Sequence, residues 1–361
     1  MRIITILASV ALATTAAAAG AAPPKFKVDP FWPKPLPNGW LMGQASGVAV
    51  DAQDHVWVIQ RPRSLTADEQ GAALSPPRSK CCKPAPPVLE FDQAGNLLRS
   101  WGGPGQGYDW PQNEHGIHVD AKGFVWIGSN GDLDGEVLKF TPDGKFVMQI
   151  GKIGPQTDSN DVTRLGKPAG IWVDNAANEV YIADGYYNHR VIVFDSETGA
   201  YKRHWGAYGG RPVDPPAGRY DPAAPLSKSF ANPVHCVKIA RDGLVYVCDR
   251  VNDRIQVFHK DGTFVREFRI EPATLGGGSV WDLAFLPEAG QALMLNTDGE
   301  NNEVRILSRA TGETVGRFGR SGRQAGDFHW VHTMALDSKG SLFTGEVDNA
   351  KRVQRFVRVK P

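Results

Sequence analysis

Residues 235–268 read HCVKIARDGLVYVCDRVNDRIQVFHKDGTFVREF. Four short runs alternate apolar and polar residues, with turn signals at Asp242-Gly243, Asn252-Asp253 and Asp261-Gly262. Alternation puts successive side chains on opposite faces of a strand. Asp-Gly between two such runs favours a tight antiparallel reversal. The stretch therefore predicts two hairpins in tandem, a four-stranded antiparallel sheet with strands A to D.

The same pattern recurs along the chain. Copies of the first hairpin are SGVAVDAQDHVWVIQR from Ser46, HGIHVDAKGFVWIGSN from His115, AGIWVDNAANEVYIADG from Ala169, WDLAFLPEAGQALMLNT from Trp281 and HTMALDSKGSLFTGEV from His332. The second hairpin returns as VLKFTPDGKFVMQI, VIVFDSETGAYKRHW and VRILSRATGETVGRF. Six such units predict an all-β, six-bladed β-propeller. The sixth unit ends on RVQRFVRVKP, which supplies a third strand only. The segment KFKVDPFW, from Lys25, can pair there as the fourth strand, and ring closure removes open sheet edges.

Ahead of the first unit, Arg2, an apolar run from Ile3 and the tract TTAAAAGAA have the order of a secretory signal peptide ending between Ala19 and Ala22. Residues 1–22 are thus expected to be a leader and 23–361 the propeller, periplasmic or secreted, where disulfides form. The apolar run is too short to span a bilayer, and no cysteine near the cleavage site offers a lipid anchor. A net charge of +1 with no basic stripe gives no reason to expect nucleic acid. A monomer is expected. Cys236 and Cys248 are symmetric about the turn at Asp242, so a disulfide between strands A and B is geometrically open to them, as is a pair of buried thiols. Cys81 and Cys82 are adjacent, with partners undetermined. They lie in an insertion over residues 62–87 that begins directly after Arg61, and a loop of this length suggests a partial lid.

Aligned at the first residue of strand A, the six units carry Ser46, His115, Ala169, His235, Trp281 and His332. Strand A lines the central channel of a propeller, and alternate blades lie about a third of a turn apart. Histidine in blades two, four and six therefore brings three imidazoles to the axis. With only 9 histidines in 361 residues, chance occupancy of this set is a poor explanation. Three neutral imidazoles with a fourth position open suit a zinc ion. His118 falls in a register with no matching histidines and reads as structural. His329, in the linker before strand A of blade six, reads as solvated. Strand B returns to the same mouth, which places Arg61, Tyr186 and Arg250 on the rim. An arginine can clamp a carboxylate, and a tyrosine beside cations can serve as a base.

The repeats resemble NHL-type propellers over nearly all of residues 23–361. A narrower resemblance rests on QR closing the first unit, HGIHVD, DGYYNHRV, HCVKIA with CDRVNDRIQVF, and VHTMALD. In order and spacing these resemble peptidyl-α-hydroxyglycine α-amidating lyases. The resemblance implies His115, His235 and His332 as zinc ligands, Arg61 and Tyr186 as a catalytic pair, and Arg250 as a further active-site arginine, which reads as substrate-binding. It implies cleavage of a carbinolamine C–N bond to give an amide and glyoxylate, with Arg61 holding the carboxylate of a small or peptide substrate. It also implies a structural calcium ion (Ca2+), whose site uses an Asp directly after the third histidine, and a disulfide cysteine after the tyrosine. Here those positions are Thr333 and Tyr187. Two other readings keep the fold and change the function: another metal-dependent lyase or hydrolase acting on a small carboxylated substrate, or a non-catalytic binding propeller.

Overall fold

The computed structural model describes residues 23–214 and 219–359. The leader expected over residues 1–22 lies outside them. Six four-stranded antiparallel sheets are present. Blade four has strands Val234–Ile239, Val245–Asp249, Arg254–Phe258 and Phe264–Arg269, matching the runs of the 235–268 stretch. The other inner strands are Gln44–Val50, Glu114–Val119, Pro168–Asp174, Asp282–Phe285 and Val331–Leu336. Each packs against the inner strand of the next blade, and the sixth packs against the first, so the ring is closed. No helix of the described residues is long and apolar enough to cross a membrane.

The core lies between blades. Six apolar clusters each draw on two neighbouring blades. One is made by Tyr181, Val191 and Trp205 of blade three with Val237, Val247 and Phe258 of blade four. Both faces of a blade are therefore apolar. This is why strands B and C are buried along nearly their whole length while the outer strands alternate.

Blade six is completed from the other end of the chain. Lys25–Asp29 pairs antiparallel with Arg352–Val359, from Lys25 opposite Val359 to Asp29 opposite Arg355. Phe26 on this strand stacks on Phe318 of blade five at 5.0 Å between ring centroids.

The inner strands carry one irregularity that alternation does not announce. In five of the six blades the A–B register shifts at the aligned slot: at Ala45/Gly47, His115/Ile117, Pro168/Ile171, Val234/Cys236 and Val331/Thr333. A bulge leaves a residue out of the ladder and re-aims its side chain. Here it turns His235 and His332 toward the axis. In blade two the extra residue is Gly116, at φ 35°, where a Cβ would meet Ala169 O at 2.1 Å.

Cys236 and Cys248 face each other in the A–B register and are disulfide-bonded. Cys81 and Cys82 are bonded to one another. The insertion after Arg61 is folded against the ring. Lys83–Pro84 pairs in parallel with Trp40–Leu41. Arg63 donates to Pro111 O at 2.8 Å and Lys351 of blade six holds Glu69 at 2.6 Å. It thus reaches from blade six to blade two on the mouth where Arg61 stands.

Truncating the closing strand's aromatic anchor tests the seam. Phe26→Ala should cost about 2 kcal/mol, since the ring is only partly buried. Urea denaturation should show a lower midpoint with an unchanged slope. An unchanged midpoint would mean that this strand does not close the ring.

Candidate metal centre

His115, His235 and His332 meet on the axis with their side chains directed at one another. They are 2, 4 and 3% exposed. Nε2 of His332 lies 3.2 Å from Nε2 of His115 and 3.1 Å from Nε2 of His235. One ligand atom from each falls within a 4.8 Å cluster.

Each ring is fixed from behind. His115 Nδ1 donates to Ala169 O at 3.1 Å, His235 Nδ1 to Trp281 O at 2.5 Å and His332 Nδ1 to Ser46 O at 2.9 Å. These acceptors are the backbones of the three slots that lack histidine. A carbonyl only accepts, so Nδ1 carries the proton and Nε2 presents a bare lone pair. Burial holds all three imidazoles well below the usual histidine range. The charge of Arg250 adds to this for each ring, and that of Arg61 for His115 and His332. Three neutral nitrogens facing each other at hydrogen-bond distance have no proton to share. A soft-to-borderline divalent cation satisfies all three, and the carbonyl-backed imidazole is the usual form of such a ligand. The donor set fits zinc.

Tyr186 closes over the cluster. Its Oη lies 3.1 Å from Nε2 of both His115 and His235. The turn that carries it is pinned on two sides. Its backbone N–H donates to Lys167 O at 3.2 Å, and Tyr187 N–H to Gly166 O at 3.0 Å. Asn232 Nδ2 donates to Gly185 O at 2.8 Å and Tyr187 O at 3.0 Å. Gly185 leaves no room for a side chain, since a Cβ would meet Val234 O at 2.1 Å.

The two arginines are held differently. Arg61 donates through Nε to Glu114 O at 2.8 Å, through Nη1 to Gln44 Oε1 at 2.8 Å and through Nη2 to Asn130 Oδ1 at 3.2 Å. Burial lowers its pKa, against the nearby Tyr186 and Glu114. Arg250 donates to Tyr186 Oη at 3.3 Å and lies 4.2 Å over the Trp281 ring. Its Nε has no partner among the described residues. Arg61 is a fixed charge, while Arg250 keeps donors for a ligand.

The six residues singled out in the sequence are thus brought together at one mouth. His118 is not among them: three residues further along the same strand as His115, it packs on Trp172 of blade three at 4.9 Å, and burial pushes it down to about 3. His329 is not simply solvated, since it bonds Asp348 at 2.8 Å. Gln44, Asn130 and Asn232 position the site and carry no motif of their own. They arrive from strand ends and linkers of neighbouring blades.

The implied calcium fares differently. Thr333 supplies a hydroxyl where a carboxylate is required, and it donates to Asp282 at 3.1 Å. The channel residues below the histidines do not fit that ion.

Metal content checks the cluster. Purified protein should hold about one zinc per chain. His115→Ala should abolish stoichiometric zinc by elemental analysis, while Asp348→Ala, beside His329, should leave it unchanged. A metal-free native protein would contradict this reading.

Comparison with known proteins follows the same lines. Residues 165–194 match the NHL repeat model. The chain is 26% identical over 355 residues to NHL repeat-containing protein 3 of Mus musculus, covering 92% of this chain and 84% of that protein. It is 24% identical over 332 residues to the peptidylglycine alpha-amidating monooxygenase of Rattus norvegicus, covering 85% of this chain and 30% of that protein. Among solved structures, a streptogramin B lyase superposes with a TM-score of 0.53 at 11% identity, over 92% of this chain and 98% of its own. That likeness concerns the fold alone. The fold is a six-bladed propeller, with one stretch that matches the NHL repeat and similarity along most of its length to an NHL repeat-containing protein.

Proposed function

We propose that this protein is a secreted zinc lyase that splits the C–N bond of a peptidyl- or N-acyl-α-hydroxyglycine, releasing an amide and glyoxylate. The observation that carries this is a tyrosine hydroxyl 3.1 Å from two bare imidazole nitrogens, beside an arginine with donors to spare. Similarity to a peptidylglycine alpha-amidating monooxygenase supports it. The Cys236–Cys248 bond accords with an oxidising compartment.

A zinc ion held by His115, His235 and His332 would supply a Lewis acid for the substrate's oxygen. The chain's own groups divide the remaining work. Tyr186, acting as its phenolate, takes the hydroxyl proton at Oη as the C–O bond becomes a carbonyl. The C–N electron pair leaves with nitrogen, which takes a proton from solvent to give the amide, so that overall one proton passes from oxygen to nitrogen. Arg250, stacked on Trp281 with Nε unpaired, clamps the substrate carboxylate. Arg61, whose three nitrogens are all engaged, stays in place and stabilises negative charge developing at the centre. Arg250 thus keeps the substrate-binding role read from the sequence, and Arg61 the catalytic one.

Zinc-loaded protein incubated with N-benzoyl-α-hydroxyglycine should release glyoxylate and benzamide in equal amounts. Tyr186→Phe should lower kcat by roughly 10²- to 10⁴-fold with zinc retained. Arg250→Ala should act mainly on KM, by about tenfold or more, as expected for a lost charge-assisted pair. Zinc-bound protein that yields no glyoxylate from any α-hydroxyglycine would sink the proposal.

The insertion has its own test. Removing residues 65–85 should raise KM with zinc content unchanged. Identical kcat and KM would remove the loop from the substrate pocket.

A further inference from the structure

Directly below the histidines the channel narrows to a cavity of about 30 Å³, walled in part by Lys238, Asp282 and Thr333. Asp282 follows the aligned slot of blade five, as Thr333 follows that of blade six. The channel therefore does hold a carboxylate, one blade away from the expected place.

That carboxylate is buried and fully engaged. Asp282 Oδ1 lies 3.1 Å from Lys238 Nζ and accepts from Leu283 N–H at 2.9 Å. Oδ2 accepts from Thr333 Oγ1 at 3.1 Å and from Met334 N–H at 3.0 Å. An ionised carboxylate offers about four lone-pair sites, and four donors occupy them here. Thr333 Oγ1 in turn accepts from Val48 N–H at 3.4 Å. Lys238 comes from blade four, Asp282 from five, Thr333 from six and Val48 from one. A single polar network thus ties four blades together at the axis.

A buried carboxylate needs a counter-charge. We infer that Lys238 is that counter-charge, a built-in cation whose ammonium stands where a divalent ion would otherwise neutralise the channel. The ring is held together below the histidines without calcium. This does not depend on the reaction proposed above, and its readouts are metal content and stability, not activity.

With zinc saturating throughout, wild-type protein should contain no stoichiometric calcium, and millimolar calcium should leave its Tm unchanged. Lys238→Ala leaves Asp282 as an unpaired buried charge and should lower Tm by roughly 5 °C. Calcium should then restore part of the loss, and more of it in the Lys238→Ala/Thr333→Asp double variant. Stoichiometric calcium in the wild type, a calcium-dependent rise in its Tm, or a Lys238→Ala variant as stable as wild type would each overturn the inference. If neither variant folds, the calcium content and calcium response of the wild type decide it.

Discussion

The hydrogen bond from each imidazole Nδ1 to the backbone of the next blade is the constraint on which the site rests. It sets the tautomer, directs Nε2 at the axis and couples neighbouring blades at their closest approach. One of the three crosses the seam of the ring, from His332 in the last blade to Ser46 in the first. Ring closure and the third ligand are therefore one event. A chain whose ends failed to join would lose a ligand's orientation as well as an edge pairing.

Around that core, charge is distributed by rigidity. Arg61 is fastened to a carbonyl and two side-chain amides from blades one and two. Arg250 rests on an indole and a phenol, contacts that tolerate small shifts as a ligand enters. Below them, Lys238 is matched by Asp282 and adds no net charge, so the positive charge at the mouth is that of the two arginines. The positive field at the site thus has one fixed part and one adaptable part.

Much of this was legible in the sequence because it is local or repeated. Period-2 alternation and Asp-Gly turns act over a few residues, so the blades could be read directly. The histidines could be placed because the same slot recurs six times. What remained hidden depends on pairing between strands or on neighbours from other blades. The bulge that turns His235 and His332 inward exists only relative to strand B. Asp282 went unseen because blades were compared at the slot and not one residue later. Arg61 and Arg250 were both placed on the rim, and the partners that fix one and leave the other adaptable come from other blades. His329 read as solvated because Asp348, its partner, sits in a different loop. The partners of Cys81 and Cys82 were open for the same reason: proximity within a folded insertion has no periodic signature.

The alternation of imidazole donors with backbone acceptors around the ring has a consequence for how such a protein can change. Histidine slots are blades two, four and six, and the carbonyls they use belong to three, five and one. This is a parity rule. Loss or duplication of a single blade would set two histidine slots or two histidine-free slots side by side and break the threefold spacing of the imidazoles. Only an even change in blade number preserves the pattern, so in this ring the heritable building unit for the metal centre is a pair of blades.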